Sequence, residues 1–355
     1  MSLFDNKLKD GESIFLNPVV LDYDYQPKLT PHRESQQKYI ATCIKPLLQN
    51  RNGKNLFIFG SPGIGKTVSC KHVLKELEEE TDEILLIYIN CWKKNTAHKI
   101  IMEICGILDY KFTHNKSSDE LLKIITEKMN KKPVVICLDE VDKLDENDIL
   151  YNFLEDIYKK TIILITNEKG WLAKLDDRIR SRLYAELLEY KPYNYNEILD
   201  ILKQRCEYAF VSGVLSSDIL DAVSKKAHDS RDLRVGLYLL KETGNVCEER
   251  GCKTIEKNDM NNAVCKLDGF KIKEDLEDEQ NIILDLIKSN NGESISILSR
   301  IYNEKCGSDV SYKTFRRRLD RLEKAKLIRL EEEFTGMKGK AVNVYFKDVR
   351  KLDEF

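Results

Sequence analysis

The sequence predicts an α/β protein in which a parallel β-sheet covered by helices is followed by an all-helical segment and a small C-terminal domain. Apolar runs rich in β-branched residues alternate with amphipathic stretches of helical length, which is typical of parallel strands joined by helices. Residues 194–268 show only helical periodicity. The chain then ends in short helical patterns and a hairpin-like sequence with a Gly-containing turn. The five predicted strands are residues 55–59, 84–89, 133–138, 161–166 and 183–188.

Two sequence features predict domain boundaries. Pro192 ends the region of alternating strands and helices, and the acidic stretch at 274–280 precedes the last group of helices. We therefore expect three domains, at residues 1–191, 192–272 and 273–355. The formal net charge is −2, so any nucleic-acid surface must be a local patch. No apolar run approaches the ~20 residues that a membrane span requires, and the N-terminus lacks a signal pattern; we expect a cytoplasmic protein without a membrane partner.

The first predicted strand is followed by a phosphate-binding motif. Residues 60–67, Gly-Ser-Pro-Gly-Ile-Gly-Lys-Thr, match the P-loop pattern in full, between a strand and a helix. Glycines let backbone N–H groups surround phosphate oxygens, and the helix adds its positive N-terminal end. The predicted ligand is ATP or ADP with Mg²⁺. Lys66 is predicted to bind the β- and γ-phosphates of ATP, and Thr67 to ligate the Mg²⁺. The other predicted nucleotide contacts of this loop are Ser61, Pro62, Gly63, Ile64, Gly65 and Val68.

The third and fourth predicted strands end in further polar residues. Asp139 and Glu140 follow an apolar run, where Asp139 would hold the Mg²⁺ and Glu140 would orient the attacking water. Asn167 follows the fourth strand, within reach of the γ-phosphate and this water. Phosphoryl transfer depends on positioning and charge neutralisation, which these residue types supply.

With these motifs placed, the chain resembles an AAA+ ATPase. More narrowly, it resembles the archaeal replication initiators related to the origin recognition complex and its cell-division-cycle loading partner, over nearly the whole length. Besides the P-loop and the N-terminal segment 12–36, the resemblance rests on Asn90-Cys91, the D-E-x-D-K-L box at 139–144, Leu150-Tyr151-Asn152, the sensor-1 Asn167, LDDRIRS at 175–181, the lid segment at 191–215 and the sensor-2 segment 231–234.

The resemblance implies roles for several further residues. Arg234 would contact the γ-phosphate from the lid, and the adenine side of the pocket would involve His32, Arg33 and Tyr193. Either Arg178 or Arg182, in the run DRIRSR, would act as an arginine finger on the nucleotide of a neighbouring subunit. Two positions depart from the family pattern. Arg231 replaces a Gly, from which we expect a different local turn, and Asp177 replaces a Pro before Arg178.

The C-terminal region carries the strongest local positive charge. Residues 311–329 contain eight Lys or Arg and two Asp or Glu, so their net charge is +6. On a helical wheel Phe315, Leu319 and Leu322 form an apolar stripe, with basic residues on the outer face. A basic helix followed by a hairpin predicts a winged helix-turn-helix, with the helix in the major groove. The predicted DNA contacts are Lys313, Arg316, Arg317, Arg321 and Lys324 on the helix and Lys338 and Lys340 in the hairpin.

The resemblance also implies a second DNA contact, on a helical insertion of the ATPase domain. In this sequence the insertion is expected near residues 109–118, with Lys111 and Lys116 as contacts. The resulting hypothesis is an ATPase switch that binds double-stranded origin DNA, assembles with copies or paralogues of itself and recruits an MCM-type replicative helicase. A STAND-type regulator also joins a P-loop to a winged helix, but that class lacks the sensor-2 and D-E-x-D-K-L motifs. A clamp-loader or remodelling ATPase would need a collar or pore loop instead of the basic helix.

Overall fold

The computed structural model describes residues 13–27, 30–274, 278–306, 310–324, 327–334 and 340–347. The chain forms two compact units. The first extends to Gly244 and includes Gly251–Ile255, and the second comprises Asn245–Arg250 and the residues from Glu256 onwards. Within the described ranges, no helix is both long enough and apolar enough to cross a membrane.

The first unit contains a five-stranded parallel sheet, as the apolar runs predicted. The strands are β1 (Leu56–Phe59), β2 (Leu85–Asn90), β3 (Val134–Asp139), β4 (Lys160–Thr166) and β5 (Glu186–Glu189). Their spatial order is β2-β3-β4-β1-β5, and all neighbours are parallel. The fifth strand begins at Glu186 instead of 183, because Leu183 ends a helix and Tyr184 adopts a left-handed φ of +35°.

Helices cover both faces of this sheet. On one face α1 (Glu34–Ile44) and α2 (Lys66–Glu80) pack against alternate strand residues such as Ile58 and Cys137. The other face is covered by α3 (Ala97–Ile107), α4 (Ser118–Met129), α5 (Asp148–Asp156) and α6 (Asp177–Leu183). Strands buried on both faces explain the continuous apolar runs, and their parallel carboxyl ends converge at one edge of the sheet.

The segment predicted to be helical only is α7 (Tyr195–Ala209), α8 (Ser217–Asp229), α9 (Leu233–Glu249) and α10 (Lys257–Glu274). A capping box between Asn194 and Glu197 begins α7, directly after Pro192. The second unit ends in three helices and an antiparallel hairpin, in agreement with the sequence. These are α11 (Asp278–Ser289), α12 (Ile295–Cys306), α13 (Tyr312–Lys324), β6 (Ile328–Phe334) and β7 (Lys340–Phe346). They share one apolar core.

Candidate active site

The phosphate-binding motif forms the loop between β1 and α2. Gly65, with φ +86°, immediately precedes the first residue of α2, so the helix N-terminus faces the loop. Gly63 has φ +69°, and a Cβ built there would lie 1.8 Å from Asp232 Oδ1. Both positions therefore require glycine. Residues 62–68 line a cavity, whereas Ser61 contributes its carbonyl to a hydrogen bond with Lys66.

Lys66 is held by three oxygen atoms at the base of this cavity. Its Nζ donates to Gly60 O, Ser61 O and Asn167 Oδ1, each at 2.8 Å. The residue is only 6% exposed, and this burial lowers the pKa of its ammonium group to about 8. Asn167 comes within reach because β1 and β4 are neighbours that pair Phe59 with Thr166, so their carboxyl ends meet.

Asp139 accepts three hydrogen bonds at the end of β3. Its Oδ2 accepts from Thr67 Oγ1 at 2.7 Å and from the Tyr88 hydroxyl at 2.6 Å, while Oδ1 accepts from the Glu140 N–H at 2.9 Å. The carboxylate is buried, with 2% of the residue exposed. Thr67 and Asp139 thus present neighbouring oxygen ligands of the kind that Mg²⁺ prefers. The hydroxyl of Tyr88 is a partner that the sequence analysis missed.

Glu140 directly follows β3 and has a left-handed backbone conformation, with φ +54°. Burial and the nearby Asp139 and Asp142 raise the pKa of its carboxyl group, and a hydrogen bond from the Asn90 side chain opposes this effect. Asn90 ends β2 directly opposite Asp139 in the strand register. Asn90 appeared in the sequence only as part of a family motif, and its contact with Glu140 depends on pairing between distant strands.

The cavity has a polar end and an aromatic end. Its volume is about 680 Å³, which is in the range of small-molecule sites. The P-loop, Asp139, Glu140 and Asn167 line the polar end. The other end is lined by Val20, Tyr23, Tyr25, Pro27, Pro31, Ile201, Arg205, Tyr208 and Leu237. The sequence analysis missed these tyrosines, because single aromatic residues in a loop or at a helix end follow no periodic pattern.

Tyr193 and Arg234, which both follow β5 in the chain, also line the cavity. Tyr193 is 8% exposed, and its hydroxyl would lie 2.7 Å from a Cβ at Gly65. Arg234 lines the cavity and donates to the Asp232 carboxylate at 2.8–3.2 Å. Arg231 adopts φ +53°, the left-handed conformation that glycine favours. The expected difference in the local turn at Arg231 stays a prediction.

The described residues that line the cavity include neither His32 nor Arg33, contrary to expectation. The His32 Nε2 lies 2.8 Å from Asp200 Oδ2 at the surface. Arg33 is 4% exposed and donates to the carbonyl of Lys191 at 2.8 Å. Its guanidinium lies 3.9 Å from the ring centroid of Tyr193. Arg33 is therefore packed against Tyr193, which itself lines the cavity.

The two candidate finger residues lie on α6. Arg178 pairs with Asp176, the residue before the helix, at 3.1 Å, whereas Asp177 pairs with Arg180. Arg182 pairs with Glu155 and lies 5.1 Å from the ring centroid of Tyr151. Neither arginine is among the described residues lining the cavity of its own chain.

The predicted apolar stripe of α13 is confirmed, since Phe315, Leu319 and Leu322 are each 0% exposed. Lys313 and Arg317 are exposed on the same helix. Arg316 is partly buried and pairs with Asp320 at 3.2 Å. The remaining predicted contacts lie outside the described residues, either entirely (Lys338) or in their side chains (Arg321, Lys324 and Lys340).

The expected helical insertion near 109–118 is wrong, because this segment is a loop between α3 and α4. Asp109 and Asn115 adopt left-handed φ angles of +49° and +61°, which interrupt a helix, and a capping box at Ser117 begins α4. Lys111 is exposed beside Asp109, at 3.5 Å, and Lys116 is partly buried.

Two family models match the sequence. Residues 49–169 match the AAA domain, and residues 199–264 match the Cdc6 AAA+ ATPase-type lid domain. The ORC1-type DNA replication protein 1 of Sulfurisphaera tokodaii is 34% identical over 274 residues, which cover 74% of this chain and 69% of the relative. The ORC1-type DNA replication protein 2 of Archaeoglobus fulgidus is 30% identical, covering 96% and 92%.

Solved structures with the same fold cover almost the whole chain. The Aeropyrum pernix ORC1 protein, solved in complex with DNA, is 24% identical with a TM-score of 0.69, over 94% of both chains. Cdc6p from Pyrobaculum aerophilum is 20% identical with a TM-score of 0.67, over 96% of this chain and 97% of its own. The AAA+ sheet, the Cdc6-type lid and the similarity to full-length relatives lead to one conclusion: the chain is an AAA+ ATPase that belongs to the family of ORC1-type DNA replication proteins.

Proposed function

We propose that this protein is an ATP-dependent replication initiator that binds and remodels origin DNA and helps to recruit or load an MCM-type replicative helicase. Membership of the ORC1-type family supports this proposal over a STAND-type regulator. The observation that carries the ATP dependence is the convergence of Lys66, Thr67, Asp139, Glu140 and Asn167 at one end of a cavity. The three domains predicted from the sequence remain our working division of the chain.

The side chains at the polar end of the cavity match the chemistry of a nucleoside triphosphate. The buried ammonium of Lys66 would bind the β- and γ-phosphates, and the aromatic end would hold the base. Mg²⁺ usually takes one or two protein oxygens and completes its shell with phosphates and water. Thr67 and Asp139 fit this requirement, since their oxygens lie 2.7 Å apart. The ion would neutralise charge that develops on the phosphates.

Hydrolysis would depend on groups around the γ-phosphate. Glu140 would orient and polarise the attacking water, for which a raised pKa suits a carboxylate acting as base. Asn167 would position the γ-phosphate and water, and Arg234 would bind the γ-phosphate from the helical side. A planar, permanently charged guanidinium is suited to bidentate phosphate contact.

The DNA contact is proposed for the three helices and hairpin at the C-terminus, which we interpret as a winged helix. Lys313 and Arg317 are exposed opposite a buried apolar stripe, so they face outward. The Aeropyrum pernix ORC1 protein has been solved in complex with DNA. Drosophila ORC has been solved bound to DNA, and its chain has a TM-score of 0.62 with this one. Lys111 and Lys116 are proposed as a second contact on the ATPase domain.

We further propose that hydrolysis is slow, well below the ~10 s⁻¹ median of enzymes, because a switch needs a lasting ATP state. A finger supplied by Arg178 or Arg182 of another copy would make the rate per molecule rise with protein concentration or on DNA.

The decisive experiment for the biological role is chromatin footprinting in the protein's own cells. One or a few peaks at replication start sites would support the initiator, and dispersed promoter peaks would contradict it. A nucleoid-associated, cytoplasmic location is part of the same proposal.

A further inference from the structure

Tyr88 lies at the proposed Mg²⁺ site without a part in the chemistry described so far. Its hydroxyl donates to Asp139 Oδ2 at 2.6 Å, and the same oxygen accepts from Thr67 Oγ1 at 2.7 Å. We propose that Tyr88 is a positioning residue for the divalent cation, because its hydroxyl fixes the Asp139 carboxylate in the orientation that Mg²⁺ requires. This inference rests on the proposed nucleotide and Mg²⁺ site.

The contacts of Asp139 explain how one hydroxyl can have this effect. Oδ1 accepts the Glu140 N–H at 2.9 Å, so Tyr88 and Glu140 together restrain both oxygens and hence the carboxylate plane. Thr67 uses its single hydroxyl proton for Asp139, which leaves its oxygen lone pairs for a cation. Residues that hydrogen-bond a ligating carboxylate orient it and tune its affinity for the metal.

The strand geometry places Tyr88 at this point and holds its ring there. Successive side chains of a strand alternate between faces, so Tyr88 and Asn90 project to the same side of β2. Tyr88 pairs with Cys137 in the β2–β3 register, two residues before Asp139, and reaches that carboxylate diagonally. From α2, the ammonium of Lys71 lies 4.5 Å from the ring centroid of Tyr88. A phenylalanine would keep the ring and remove only the hydroxyl.

The test compares Tyr88→Phe with a matched control, Tyr39→Phe. The Tyr39 hydroxyl also donates to a carboxylate, Glu186 Oε2 at 3.1 Å, at the amino end of β5 and thus at the opposite edge of the sheet. Binding of a fluorescent ATP analogue is measured in EDTA and during titration with MgCl₂. For Tyr88→Phe we expect the MgCl₂ midpoint to rise about tenfold, with unchanged binding in EDTA. Tyr39→Phe should match the wild type in both measurements.

Each other outcome has a distinct meaning. A wild type that depends on MgCl₂ and a Tyr88→Phe variant with the same midpoint would overturn the inference and leave the proposed function intact. Equal weakening in EDTA and in MgCl₂ would also overturn it, because the hydroxyl would then support packing instead of the cation. A wild type insensitive to MgCl₂ would overturn the proposed Mg²⁺ site itself.

Discussion

Lys66 and Arg317 are both cations that we expect to meet phosphate, and their surroundings differ in every respect. Lys66 is 6% exposed and held by three oxygens at 2.8 Å. Arg317 is exposed on the outer face of α13. A buried, preorganised charge acts at short range with little screening, whereas an exposed charge acts through a screened, salt-dependent field. Substitutions in the cavity should therefore cause near-complete losses, and those on the basic helix graded ones.

The largest effects are expected from Lys66→Ala and Glu140→Gln. Loss of Lys66 should weaken ATP binding by more than ~100-fold, because a charge-assisted contact from a buried ammonium group disappears. Glu140→Gln should keep ATP binding and slow hydrolysis by ~10²–10⁴-fold, the usual contribution of a general base. Binding and phosphate release are measured on both variants. Lys75→Ala is the control, since this lysine lies on the same helix α2 with 65% of its side chain exposed. Turnover of Glu140→Gln at the wild-type rate would refute the role of Glu140.

The second prediction concerns how the cavity wall is supported. Arg33→Ala should lower the free energy of unfolding by ~3 kcal/mol, because it removes a buried stack on Tyr193 and leaves the Lys191 carbonyl without its donor. His32→Ala should cost less than ~1 kcal/mol, since its pair with Asp200 is exposed to solvent. Urea denaturation of both variants measures the difference. Equal small losses would show that Arg33 does not support the cavity.

The contrast between Arg33 and Lys66 also shows how far sequence reasoning reached. The parallel sheet, the helices that cover it and the position of the P-loop between β1 and α2 were predicted correctly, because apolar periodicity and a loop-plus-helix motif are local properties of the chain. Tyr88, the contact between Asn90 and Glu140 and the aromatic end of the cavity were missed, since they depend on which distant segments become neighbours.

Two errors have a similar origin. Arg33 was assigned to the adenine pocket by resemblance, but the cation–π contact with Tyr193 depends on how two distant segments pack. A helical insertion was expected near residues 109–118, but left-handed residues at Asp109 and Asn115 interrupt any helix there. Backbone conformation at single non-glycine residues leaves almost no trace in a sequence pattern.

The third prediction tests Arg317, the exposed cation of the pair compared above. Arg317→Ala should flatten the log–log salt dependence of DNA binding by ~0.9, the counterion release of one phosphate contact. If Arg317 reads a base edge, the variant should also lose ~1–3 kcal/mol on the preferred site and much less on random DNA. Arg300→Ala on α12 is the control, since Arg300 is exposed in the same unit but paired with Glu304 at 3.9 Å. An unchanged salt slope for Arg317→Ala would remove Arg317 from the DNA contact.

The smallest effect is expected at Arg231, which joins α8 to α9 close to the Asp232–Arg234 pair. A left-handed conformation costs a non-glycine residue ~1–2 kcal/mol. Glycine avoids this cost, but it loses more conformational entropy on folding, which offsets part of the gain. Arg231→Gly should therefore raise the free energy of unfolding by ~0.5–1 kcal/mol. Arg231→Ala keeps the strained backbone and removes the same exposed side chain, so the difference between the two variants isolates the backbone term. Urea denaturation provides the measurement, and ATP binding should stay unchanged because Arg234 keeps its position. If the glycine and alanine variants are equally stable, the turn holds no strain, and Arg231 must be explained by its side chain.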